Sequence, residues 1–228
     1  MIIAFASVAL SACGAAARLS VADGTGSQPT IPPPHRSVLP TVNVVKARGW
    51  PADGGPVAAE HLAVTAFARG LDHPRWLYVL PNGDVLFAET NAPTRPDDNK
   101  GIKGWFFDRY QKQAGGGVPS ANRITRLRDA DGDGIAETRS VFAQGLNSPL
   151  GMALVGHTLY IANTDAIVRL TYAAGADTAS GEPVVVASLP GGTLNHHWTK
   201  NVIASADGST LYATIGSNSN VAENGIDK

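Results

Sequence analysis

Asn195, His196, His197, Trp198, Thr199, Lys200 and Asn201 stand in unbroken succession, and nowhere else in the chain are potential catalytic groups so dense. A neutral imidazole suits proton removal, because its pKa lies near working pH. Neighbouring side chains on an extended segment point to opposite faces, so His196 and His197 do not share one metal. One can face a pocket while the other faces solvent. The plain alternative is a polar loop in which neither imidazole does chemistry. A second cluster is acidic: Asp129, Asp131 and Asp133 alternate, Gly134 follows, and Glu137 stands further on. The opening positions of an EF-hand-type loop aim oxygens at one hard cation, typically calcium, in this way. Its twelfth position, however, is Ser140 rather than an acid, which leaves Glu137 and the Ile135 carbonyl as the later ligands. Such an ion is structural; without it the segment is a solvated Asp-Gly turn.

Short strands must hold these groups. Residues 202–205 and 211–215 predict an apolar hairpin closed by Asp207-Gly208. A similar unit occurs twice earlier. Gly70-Leu71-Asp72-His73-Pro74 leads into strands at 76–80 and 85–88, and Gly145-Leu146-Asn147-Ser148-Pro149 leads into strands at 151–155 and 158–162. Residues 123–127, 139–142, 167–172 and 184–188 supply further strands. Repeated antiparallel units of this kind predict an all-β fold, a β-propeller, with strands for about three blades of about 40–50 residues each. A β-sandwich accommodates the strands but leaves the repeated lead-in unexplained. Residues 90–120 exceed a plain loop, and 103–114 predict a short helix carrying Trp105, Phe106, Phe107 and Tyr110. These aromatics either pack on the rim of the fold or form a lid or docking surface.

The run from Asn195 resembles the catalytic-histidine segment of the PQQ-dependent soluble sugar and aldehyde dehydrogenases, most of all the L-sorbosone dehydrogenase group. The resemblance rests on His197-Trp198-Thr199-Lys200-Asn201, the Asp207-Gly208 turn, and Ile215-Gly216-Ser217-Asn218-Ser219-Asn220, and extends over most of residues 62–220. Lys200 stands where the family has arginine, keeping the charge but losing the planar fork. Asn195-His196 replaces a glycine-rich segment. The resemblance implies a six-bladed propeller, of which this chain supplies about half, with PQQ over the central channel and calcium beside it. It implies that His197 is the general base, with His196, Asn195, Trp198 and Lys200 in the substrate and cofactor vicinity and Asn91 within reach of a substrate hydroxyl. It further implies hydride transfer from a sugar or sugar-derived aldehyde to PQQ, and that the cationic groups holding the PQQ carboxylates lie beyond Lys228. On this reading the fragment alone is inactive. The alternative is a non-catalytic propeller that binds a ligand or protein partner.

Composition agrees with a turn-rich β domain: of 228 residues, 25 are glycine and 15 proline, and 16% are charged. A net charge of −1 offers no electrostatic basis for nucleic-acid binding. Residues 1–13 read as a lipoprotein signal segment, because Leu10-Ser11-Ala12-Cys13 matches a bacterial lipobox in which Cys13 is lipidated. A cleaved secretory signal is the alternative. Cys13 is the only cysteine, which excludes an internal disulfide. Residues 14–59, rich in Pro, Gly and Ala, form a tether and lead-in, and 60–228 form the partial propeller. Together these place the protein at the bacterial cell envelope facing the periplasm, passing electrons to a periplasmic or membrane acceptor.

Overall fold

The computed structural model describes residues 19–32, 44–94, 101–192, 195 and 197–217. Cys13, His196 and the Asn218–Asn220 part of the resemblance lie outside them. The chain forms two compact units, one through Lys46 and one from Ala47 onward. Described residues of the first are mostly exposed, with turns over 21–24. The second is mostly β, with one α-helix among its described residues and antiparallel sheets throughout.

Its first sheet is a four-stranded meander of β1 (Pro74–Val79), β2 (Val85–Glu89), β3 (Arg123–Arg128) and β4 (Thr138–Ala143), in sequence order. The second repeats the plan with β5 (Met152–Val155), β6 (Thr158–Ala162), β7 (Ala166–Thr171) and β8 (Ser180–Ser188). A hairpin of β9 (Asn201–Ala204) and β10 (Leu211–Thr214) follows. Two-residue alternation explains the inward faces. Leu86 and Ala88 on β2, and Leu159 and Ile161 on β6, are fully buried. With Ile124, Phe142, Met152, Val168, Leu170 and others they form one core shared by both meanders. Ala153, Ala162 and Ile167 join Val202 in a second core, between the second meander and the hairpin. The three layers therefore follow one another in series.

The repeated lead-in has a repeated backbone. Gly70 and Gly145 have φ of 68° and 71°, and His73 and Ser148, each just before proline, have φ of 52° and 44°. Glycine takes this left-handed region freely, whereas other residues enter it at a cost. The sequence similarity between the two segments is thus a conformational one as well.

The long connection from β2 to β3 carries α1 (Gly101–Gln113). It ends on Gly115, at φ 83°, where the Gly116 amide donates to the Gln111 carbonyl at 2.8 Å and caps the last turn. The aromatics of α1 do not pack away on the sheets: Trp105 is 60% exposed, and Phe106, Phe107 and Tyr110 are exposed too.

Candidate functional site

Lead-in turns, the α1 connection and the His-Trp segment converge on an open cavity of about 970 Å3. His73 and Arg75 contribute from the first lead-in, and Asn147 and Ser148 from the second. Asn91 follows β2, Phe107 comes from α1, and Trp198 precedes β9. Among the described residues only four non-glycines have a left-handed backbone: His61, His73, Asn122 and Ser148. Three of them, all but His61, line this cavity. Sparsely populated backbone states persist where surrounding structure fixes them, and they cluster at binding sites.

Each is fixed by identifiable contacts. His73 Nδ1 lies 3.1 Å from the Thr90 carbonyl oxygen, which can only accept, so Nδ1 carries a proton. In the neutral ring Nε2 is then an unprotonated acceptor. The Ser148 amide donates to Asn122 Oδ1 at 2.9 Å, and the Leu146 amide to the Asn122 carbonyl at 3.2 Å. Arg75 lies over the Trp198 ring with Cζ 5.1 Å from its centroid. It has no hydrogen bond or ion pair with another described residue, and no carboxylate stands among the described lining residues.

Beneath the first meander's end, the fully buried Glu89 gathers Arg123 Nη2 at 2.9 Å, Arg139 Nη2 at 3.4 Å, the Thr125 hydroxyl and the Asp72 amide. Burial alone would raise its pKa, but the bonds from Arg123 and Thr125 hold it below the ordinary glutamate value. The Asp72 bond anchors the residue next to His73, so this ion cluster is the foundation on which the His73 turn stands.

The residues singled out in the sequence fall into separate roles. Asn91 lines the cavity, but its Nδ2 donates to the Val118 carbonyl at 2.6 Å and its Oδ1 accepts from the Ala92 amide at 2.9 Å. Its polar atoms tie down the loop after α1. Trp198, 7% exposed, is part of the cavity wall. His197 is not among the described lining residues; its Nε2 is buried without a hydrogen-bond partner among the described residues. Its ring packs on Gly216, where an added Cβ would come within 2.6 Å of His197 Cβ. Lys200, 2% exposed, donates to the His197 carbonyl at 2.9 Å and to Asn195 Oδ1 at 3.4 Å. Asn195 Nδ2 donates onward to Thr164 Oγ1 at 2.6 Å. Burial depresses the Lys200 pKa. Lys200 and Asn195 are therefore the struts that fix the His197 loop to the second meander.

Asp129, Asp131, Asp133 and Glu137 bring one oxygen each to within 4.8 Å of one another. Asp129 accepts from the Gly132 and Gly134 amides, and Glu137 from the Ala130 amide, which curls the loop around that point. Ser140 takes no part, because its hydroxyl binds the Asp177 carbonyl at 2.7 Å and accepts from Arg126.

His73, Arg75, Asn122 and Ser148 escape a reading based on catalytic residue types. Their signal is the lead-in itself, which reads as folding punctuation until the backbone shows two left-handed turns on one cavity.

Residues 105–228 match the family model described as a domain of unknown function (DUF7133). No curated protein matches. Similar solved structures include the iodide structure of the Trichoderma reesei carbohydrate-active enzyme of family AA12, with 19% identity over 72% of this chain and a TM-score of 0.49. A gluconolactonase from Xanthomonas campestris shows 21% identity over 72% of this chain and a TM-score of 0.39. The chain spans 35% and 47% of those two chains respectively.

Proposed function

This chain belongs to the family described as a domain of unknown function (DUF7133), and we propose that it contributes the proton-accepting part of an oxidoreductase acting on sugars or sugar-derived aldehydes. The two meanders and the following hairpin are, in this proposal, successive blades of a six-bladed propeller, about half of it. The observation that carries the reading is the His197 imidazole, whose Nε2 is buried and has no hydrogen-bond partner among the described residues, one residue from the cavity wall at Trp198. A buried ring nitrogen without a protein partner is costly unless a ligand or water meets it.

PQQ is the proposed cofactor. A cavity of about 970 Å3 whose described walls lack carboxylates has room and charge suited to a flat polyanion. Phe107 and Trp198 are the aromatic wall residues that would hold it. When bound, the quinone supplies the hydride acceptor. The protein's task is then proton removal: His197 accepts the substrate hydroxyl proton, while Lys200 and Asn195 hold its loop. Calcium is proposed at Asp129, Asp131, Asp133 and Glu137, whose hard oxygen donors suit it. We extend the proposal to a periplasm-facing lipoprotein anchored through Cys13, with a periplasmic or membrane electron acceptor.

In the complete protein, His197→Ala should lower turnover roughly 100- to 10,000-fold, the usual share of a general base, with PQQ affinity retained. His196→Ala should cost much less. Equal, small effects of the two would remove His197 from the role. A non-catalytic binding propeller is the second reading, favoured by the position of His197 outside the cavity lining. Dye reduction dependent on sugar and PQQ separates the two.

A further inference from the structure

The Arg75 guanidinium lies over the Trp198 ring and makes no hydrogen bond or ion pair with another described residue. A cation–π contact of this kind leaves the guanidinium N–H donors available to a planar oxyanion, which two parallel N–H bonds can hold. No described wall residue carries a competing carboxylate. Across Pro74 stands His73, locked in a left-handed turn, with its Nδ1 proton committed to the Thr90 carbonyl. Its remaining nitrogen, in the neutral ring, can only accept, so its complement is an O–H or N–H donor. Ser148, at the equivalent position of the second repeat, lines the same cavity. One wall thus offers a cation for an oxyanion, and beside it an acceptor for a polar O–H group.

We propose that the cavity selects an acidic sugar, of the uronic acid class, with Arg75 holding the carboxylate and His73 Nε2 accepting a hydrogen bond from a sugar hydroxyl. This rests on the oxidoreductase reading only in making the cavity the substrate site. A carboxylate on Arg75 could come from the quinone as well as from the substrate. The substrate is the better complement, because it brings hydroxyl donors to His73 together with the acid.

The test is calorimetric titration of the purified full-length protein with glucuronate, glucose and acetate, without cofactor. Glucuronate should bind roughly tenfold or more tightly than glucose, as a charge-assisted bidentate contact permits, and more tightly than acetate. Arg75→Gln should bring glucuronate down to the level of glucose. Arg75→Lys, which keeps the charge without the fork, should fall between. His73→Asn, which tolerates the left-handed backbone, should weaken both sugars and spare acetate. Equal affinity for glucuronate and glucose, or discrimination that survives Arg75→Gln, overturns the proposal. Saturating PQQ should leave glucuronate binding in place; competitive loss would assign the Arg75 carboxylate to the quinone and also overturn it. Failure of the oxidoreductase reading shows differently, as no dye reduction with any sugar, PQQ and calcium while selective binding persists.

Discussion

Asp84 keeps its charge well into acid. Arg128 bonds it at 2.7 Å, and Arg126 and Asn82 add to the effect, so its pKa falls from 3.8 to about 2 despite burial. The folded pKa is depressed, so the stability it contributes is fully present above about pH 4 and is lost as pH falls from there toward 2. At 2% exposure the shift corresponds to roughly 2 kcal/mol. Urea titrations across that window should show this loss in the wild type and a flatter profile in Asp84→Asn. The variant should also be less stable at neutral pH, because the fully buried Arg126 loses one of its carboxylates. None of this is legible in the sequence, where Asn82-Gly83-Asp84 is a turn. Its arginine partners lie 42 and 44 residues further along, and only the β2–β3 pairing brings them together. The same limit applies to His73, whose role depends on a backbone angle.

Strands are the legible elements. Each predicted hairpin is present within a residue or two of its expected place, because alternation of apolar residues between Asn-Gly, Gly-His or Asp-Gly turns leaves the chain little choice. What alternation does not specify is how one layer meets the next. Gly151 immediately precedes β5, and an added Cβ there would lie 2.1 Å from Asn201 Oδ1 and 2.6 Å from the Val202 amide nitrogen. The Gly151 amide also donates to the Lys200 carbonyl at 3.2 Å. Gly151→Ala should therefore separate the second meander from β9 and cost about 1–3 kcal/mol of stability, read by denaturant unfolding. Gly49→Ala, with nothing within 4 Å, is the control and should be neutral. In the acidic loop, calcium should raise the melting temperature of the wild type but not of Asp131→Ala, and chelator should erase the difference. A substitution effect that ignores calcium would leave a plain turn.

At the scale of the molecule, the layers end on apolar faces. Trp76, Leu77 and Val79 on β1 are exposed, as are Ile203 on β9 and Tyr212 on β10. Surfaces of this kind beside unpaired strand edges promote association. The 228-residue chain on its own should self-associate in light scattering, and Leu77→Lys with Tyr212→Lys should reduce it. The cavity gives the same serial arrangement a thermodynamic meaning. Its walls come from the lead-ins of both meanders and from Trp198 ahead of the hairpin, so an occupant touches all three layers at once. Separating any layer destroys the binding surface, and free ligand then opposes that separation by mass action. At a hundredfold excess over the dissociation constant the opposition is about 2.7 kcal/mol. A compound collection screened for raised melting temperature would thus report cavity occupants before any reaction is known. A true occupant should merge the unfolding of the layers into one sharper transition.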